Sequence, residues 1–238
     1  MSAQPDMPAA VRLAAERRFY VGAALGVVVV VLAGFSVDLD LLHDLGSLSV
    51  LVRVHGGVMF AWVALFVTQT LLVARRRIAW HRRVGVLGAA LAAAVVVTDS
   101  ATVLAAMRLG GRHLPPGIPV PLFAAFSFFD LLSFAILVSS AIALRRRSAW
   151  HKRLMLLATI LVLDAALARF INVYTSWDLD PSIARDALIL VCVAIDTWRY
   201  RRVHPAFIAG GVLVFVTDPV AQWVATLPTW ARLCAWLG

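Results

Sequence analysis

Apolar residues in this chain come in long blocks, without the period of two or of 3.6 that marks half-buried strands and surface helices. Val21 to Val37, Val58 to Ala74 and Val84 to Val97 contain no charged residue. With its flanks, each block approaches the roughly 20 residues that cross about 30 Å of hydrocarbon at 1.5 Å per residue. The pattern predicts an all-α polytopic transmembrane bundle of seven helices, near residues 19–37, 54–74, 84–106, 119–144, 153–173, 184–200 and 205–225. Loop chemistry separates them. Gly110 and Gly111 precede Pro115, Pro116, Pro119 and Pro121, while Asp178, Asp180 and Pro181 mark the connection before the sixth span. Residues 1–18 then form an N-terminal segment, 19–225 a single membrane domain, and 226–238 a tail. Thr229 to Leu237 has the make-up of a short interfacial helix.

Composition agrees. The 238 residues are 62% hydrophobic and 15% charged, against about 45–50% and about 25% for a soluble domain. A net charge of +9 raises the question of nucleic acid. The basic residues, however, sit in short clusters between apolar blocks, which points away from it and toward the lipid bilayer. Sixteen of the twenty-two fall in four alternate segments: the N-terminus with Arg12, Arg17 and Arg18, and the connections after spans two, four and six. The other side carries Asp38, Asp40, Asp44, Asp178 and Asp180. By the Lys/Arg bias of short loops, the N-terminus is expected in the cytoplasm and the C-terminus outside, in a bacterial inner membrane. Trp80, Trp150 and Trp198 fall at the inner level and Trp177, Trp223, Trp230 and Trp236 at the outer one, as an aromatic belt requires. The first block lacks a clear cleavage site and is expected to be a retained helix. Cys192 and Cys234 have no metal spacing, and no disulfide between them is expected.

One basic turn is written twice. Ala74 to Arg83 reads ARRRIAWHRR and Leu144 to Arg153 reads LRRRSAWHKR; a degenerate copy runs from Trp198 to His204. Either the helix–turn–helix hairpin was duplicated, or each inner turn converged on Arg with an interfacial Trp. The shared Arg-Arg-Arg-x-Ala-Trp-His favours duplication. Arg and Trp are explained by topology; the histidines are not. His81 and His151 open spans three and five at one membrane level, and two imidazoles on facing helices can bind a haem b iron axially. The plainer reading has both rings facing headgroups. His55 is a weaker candidate ligand, with loop residues His43 and His113 as its only partners. His55, Met59, Trp62, Phe66 and Gln69 form one helical stripe expected to face the bundle interior.

Carboxylates inside the spans are the second anomaly. Asp99, Asp130, Asp164 and Asp218 fall within apolar blocks, and Asp186 and Asp196 near the ends of the sixth. A charge at helix centre costs about 2.5–3.5 kcal/mol on insertion scales, so each should face protein or water and find a partner. Arg169 and Asn172 share a face of span five, and Asp218 has Gln222 one turn on. Arg169 is therefore expected to pair across helices with Asp130, Asp99 or Asp218. The network Asp99, Asp130, Asp164, Arg169, Asn172, Asp218 and Gln222 either binds solute and relays protons or fixes helix packing.

There is no Gly-rich phosphate loop, nucleophile elbow or other recognisable hydrolase, transferase or nucleotide-binding motif. A retinal Schiff base is excluded because the only lysine, Lys152, lies at the inner edge. The run His55-Gly-Gly-x-Met-Phe-x-Trp, Gln69, His81-Arg-Arg-x-Gly, His151-Lys-Arg-Leu-Met and Arg201-Arg-Val-His204-Pro-Ala resembles a widespread group of uncharacterised bacterial multipass membrane proteins, over His55 to Pro219. The order His55, His81, His113, His151 is similar to that of transmembrane di-haem cytochromes b, which carry electrons from ascorbate or quinol. That likeness implies haem, and a quinone or redox protein as partner; because His113 precedes a Pro-rich stretch, it leaves the inner pair. His151-Lys-Arg-Leu-Met-Leu is also similar to a short signature of oxidase-assembly proteins. Three functions stay open: haem b electron transfer at His81 and His151, a small-solute or proton-coupled carrier using the Asp/Arg network, and a scaffold or assembly factor without a ligand.

Overall fold

A computed structural model describes residues 9–36, 49–110, 118–175 and 180–238. His43, His113, Asp38, Asp40, Asp44, Trp177 and Asp178 lie outside the described residues. Within them the chain is all-α, with helices α1 (Ala9–Phe35), α2 (Val50–Ala74), α3 (Ile78–Arg108), α4 (Val120–Ala143), α5 (Ser148–Leu161), α6 (Asp164–Tyr174), α7 (Pro181–Tyr200), α8 (Pro205–Ala225) and α9 (Pro228–Leu237). Five helices, α1 to α4 and α8, are long and apolar enough to cross a membrane, and α5 with α6 makes a sixth if the bent pair counts as one. The protein is a multi-pass membrane protein.

The fifth expected span is broken. α5 and α6 meet at 45°, across Val162 and Leu163, with neither Pro nor Gly at the bend. The helix tightens there: Leu163 N bonds Ile160 O at 3.0 Å and Ala166 N bonds Leu163 O at 2.9 Å, both three residues apart. Thr159 Oγ1, bonded back to Met155 O at 2.9 Å, adds the kind of contact that bends helices. The expected sixth span is α7, whose 20 residues include Arg185, Asp186, Asp196 and Arg199. Those charges disqualify it by composition alone.

α5 is the centre of the bundle. Leu154, Leu156, Leu157, Ala158, Thr159, Ile160 and Leu161 are all buried, so the second half of this helix is covered on every side. It packs on α4, α7 and α8, while α6 packs on α1 and α7; α1, α2, α3 and α4 follow in sequence around them. Small residues permit the closest approaches. A Cβ on Gly34 of α1 would lie 2.2 Å from Ala166 O of α6, and one on Gly210 of α8 would lie 2.5 Å from a Leu157 methyl of α5. The expected stripe on α2 does face inward: Trp62 and Phe66 are buried, and Met59 packs on the core. The tail is helical as expected; Trp230 of α9 donates Nε1–H to Pro121 O at 2.8 Å. Both cysteines are free thiols.

The turns at one end hold the basic words, and this end is called the basic end below. There Arg76 and Arg201 have φ of 60° and 56°, left-handed positions where Gly or Asn is usual. The three words converge. His81 and His151 have ring centroids 6.3 Å apart, and Trp150 stacks edge-on to His204 at 5.6 Å.

Candidate functional site

Two ionic clusters lie toward opposite ends of α7, each pairing it with the broken α5–α6 segment. Toward the end away from the basic turns, Arg185 sits in the second turn of α7 with none of its side chain exposed. Its guanidinium binds Asp218 of α8 through Nη2 at 2.6 Å, Asp164 of α6 through Nη1 at 2.7 Å, and its neighbour Asp186 through Nε at 3.1 Å. Asp130 of α4 approaches Nη1 to 3.8 Å. Four carboxylates from four helices thus face one cation. Asp130 Oδ1 and Asp164 Oδ1 are buried and make no hydrogen bond. Asp164 is the first residue of α6, where the helix dipole favours negative charge. Beside the cluster, Thr217 donates its hydroxyl to Leu213 O at 2.9 Å, which leaves Ser133 to donate to Thr217 at 2.7 Å and joins α4 to α8.

The centre of this cluster corrects the sequence reading. Arg169 was expected to supply the cation; its guanidinium instead lies over the Phe35 ring at 4.6 Å, and Nη1 donates to Ala165 O at 3.0 Å. Asn172 and Gln222, expected in the network, are exposed and outside the cluster. Asp99 pairs elsewhere: its Oδ1 is 3.9 Å from His55 Nε2, and His55 Nδ1 is buried without a partner. Sequence reasoning missed Arg185 although the available signal was the one that found the aspartates, a charge within an expected span.

Toward the basic end, Arg153 of α5 and Asp196 of α7 form a fully buried bidentate pair, with Nη2 at 2.7 and 2.8 Å from the two carboxylate oxygens and Nε at 3.1 Å. Arg153 was counted from sequence among the basic residues of the connection after span four; it is instead buried in the bundle. Its remaining Nη1 donates to Ala149 O at 2.8 Å, and the guanidinium lies over the Tyr200 and Phe207 rings. Beside it Glu16 of α1 is ion-paired with Lys152 and accepts a hydrogen bond from Tyr200. Arg199 Nη1 caps the arrangement on Ala15 O at 2.6 Å. Glu16, Lys152, Asp196 and Tyr200 were not read as a group from sequence, since three helices far apart in the chain contribute them.

The rings of His81 on α3 and His151 on α5 lie edge-on, with centroids 6.3 Å apart and planes at 78°. Their nitrogens are fixed differently. His151 Nδ1 lies 2.9 Å from Ala141 O, so Nδ1 is the donor of that contact. Gln69 lies against His81. The amide atom that faces His81 O at 3.1 Å must be nitrogen, because the other accepts from Gly85 N at 2.9 Å; the same nitrogen then donates to His81 Nδ1. That places the His81 proton on Nε2, the opposite of what an iron ligand needs. Among the described residues, no three His, Cys, Asp or Glu side chains are grouped to hold a metal ion.

No family model, no curated protein and no solved structure matches the chain.

Proposed function

We propose that the protein is a carrier that couples movement of a small solute to protons across a bacterial inner membrane, with Asp130, Asp164, Asp218 and Arg185 as its working groups. The observation that carries this reading is the mismatch of one buried guanidinium against four carboxylates, two of which keep a buried oxygen without a hydrogen bond. In hydrocarbon an unbalanced charge is too costly to keep. The surplus is neutralised by protons, and a group that holds protons in one conformation is a group that can release them in another. The discontinuous α5–α6 segment supports the same reading. A break inside a span, with a charged residue opening the second half-helix, is how membrane carriers expose a site to solute. With α7 counted as a further crossing, this reading has seven, and the positive-inside rule then sets the basic turns toward the cytoplasm and the Arg185 cluster in the outer half.

The test is proton flux into proteoliposomes that enclose a pH-sensitive dye, with panels of amino acids, sugars and organic cations added outside. The wild-type protein should acidify the lumen on addition of one solute class, and Asp164→Asn and Arg185→Gln should reduce flux to that of empty vesicles while elution and helicity stay normal. Solute-independent flux equal to empty vesicles for every panel, or full flux in both variants, would remove the reading. Haem b electron transfer is the second reading, favoured by the 6.3 Å separation of the His81 and His151 rings and opposed by the His81 tautomer. It requires a Soret band in protein from haem-replete cells that vanishes in His151→Ala.

A further inference from the structure

Between α3 and α4 a lateral cleft of about 200 Å³ opens on the flank of the bundle, lined by Ala89, Ala92 and Ala93 on one wall and Ala135, Val138 and Ile142 on the other. It begins at Ile142, one residue from the end of α4, and reaches Phe134 and Val96 deeper in. Its lining is apolar apart from Ser139. At its upper end the surface changes character abruptly. Arg145 donates Nη1–H to Ile142 O at 3.1 Å, which fixes a guanidinium directly above the cleft. The contact of His81 with His151 draws the two basic words together. On these two turns Arg75, Arg76, Arg77, Arg82 and Arg83, and Arg145, Arg146 and Arg147, are all exposed. No carboxylate among the described residues forms an ion pair with any of them.

We propose that this place is a binding site for one anionic phospholipid, its phosphate on the arginines of the paired turns and an acyl chain in the α3–α4 cleft. An apolar groove in a bilayer gains nothing by mere burial, since lipid tails are as apolar as its walls; the selectivity comes from the headgroup. Basic pockets beside membrane helices attract anionic lipid through charge. The same charge argues against the other occupants. A second copy of the chain, docked through this cleft, would bring its own arginines against these. A quinone would fill the cleft and leave the arginines uncompensated. The site is independent of the carrier reading, because it shares no residue with the Arg185 cluster.

The full chain, purified in a neutral detergent, would be titrated with phosphatidylglycerol and with phosphatidylcholine of the same chains, and bound lipid counted by native mass spectrometry. Phosphatidylglycerol should bind at least about tenfold more tightly, a preference that weakens with salt. Arg145→Gln combined with Arg146→Gln should abolish the preference, and Arg232→Gln, on exposed α9, should leave it intact. Ala135→Leu, which fills the cleft and alters no charge, should weaken phosphatidylglycerol binding. Ser139→Leu, at an exposed cleft position, repeats that test where the Ala135 change fails to fold. Equal binding of the two lipids would overturn the proposal. So would unchanged phosphatidylglycerol binding in the cleft variants, which would reduce the effect to surface charge, or displacement of the lipid by soluble glycerol phosphate, which would make it a free-phosphate site.

Discussion

Arg83 and Arg153 occupy the same place in the two copies of the basic word, and their environments are opposite. Arg83 is exposed and lies over the Trp80 ring at 5.6 Å; Arg153 is buried against Asp196. The helix each belongs to decides the difference, since α3 lies on the flank and α5 at the centre. No local pattern distinguishes the two arginines, so this part of the site was not legible in the sequence. The pairing has a measurable signature. Asp196→Asn leaves Arg153 as an uncompensated buried cation and should cost about 3–5 kcal/mol, whereas Arg153→Met with Asp196→Leu should be close to neutral. Thermal or denaturant unfolding in detergent of the three proteins separates the cases; equal losses in the single and double variants would show that the pair itself is not what holds α5 to α7.

Among elements, the start of α8 shows how the third word differs from the other two. His204 is the N-cap: its Nδ1 accepts from Ala206 N at 3.1 Å, and Pro205 follows at the first helical position. Burial, with Arg153, Lys152 and Arg202 nearby, holds the imidazole below its ordinary value of about 6.5, partly offset by Asp196. The folded state therefore binds this proton less readily than the unfolded one. The contribution to stability is complete above about pH 6.5 and is lost as pH falls below it. Protonation would also remove the acceptor that caps the helix. His204→Asn keeps a cap without a titrating group, so its unfolding temperature should fall less than that of wild type between about pH 7.5 and about pH 5.5. Parallel falls in both proteins would contradict this role. Spans were legible wherever an apolar block was long and carried few charges, as in α2, α3, α4 and α8. The α5–α6 break was not, because it is marked by backbone tightening at Leu163 and by the tie of Asp164 to Arg185, with no Pro or Gly to announce it.

For the whole molecule, what matters is that α7 is tied at both ends to one broken segment, with the charges reversed: Arg185 to Asp164 at one end, Asp196 to Arg153 at the other. The second tie is balanced and the first is not, since Asp130, Asp186 and Asp218 crowd the same guanidinium. The aspartates of this cluster were visible in the sequence as charges out of place. Their common partner depended on which face of α7 turns inward, and only tertiary packing sets that. Everything proposed for the carrier rests on the surplus carboxylates being neutralised by protons. Infrared difference spectroscopy reads this most directly, as the C=O stretch of protonated carboxyl groups in protein reconstituted at neutral pH. The account predicts such a band in wild type, a smaller one in Asp130→Asn, and a further loss when Asp164→Asn is added. A wild-type spectrum with every carboxyl group ionised at neutral pH would contradict it.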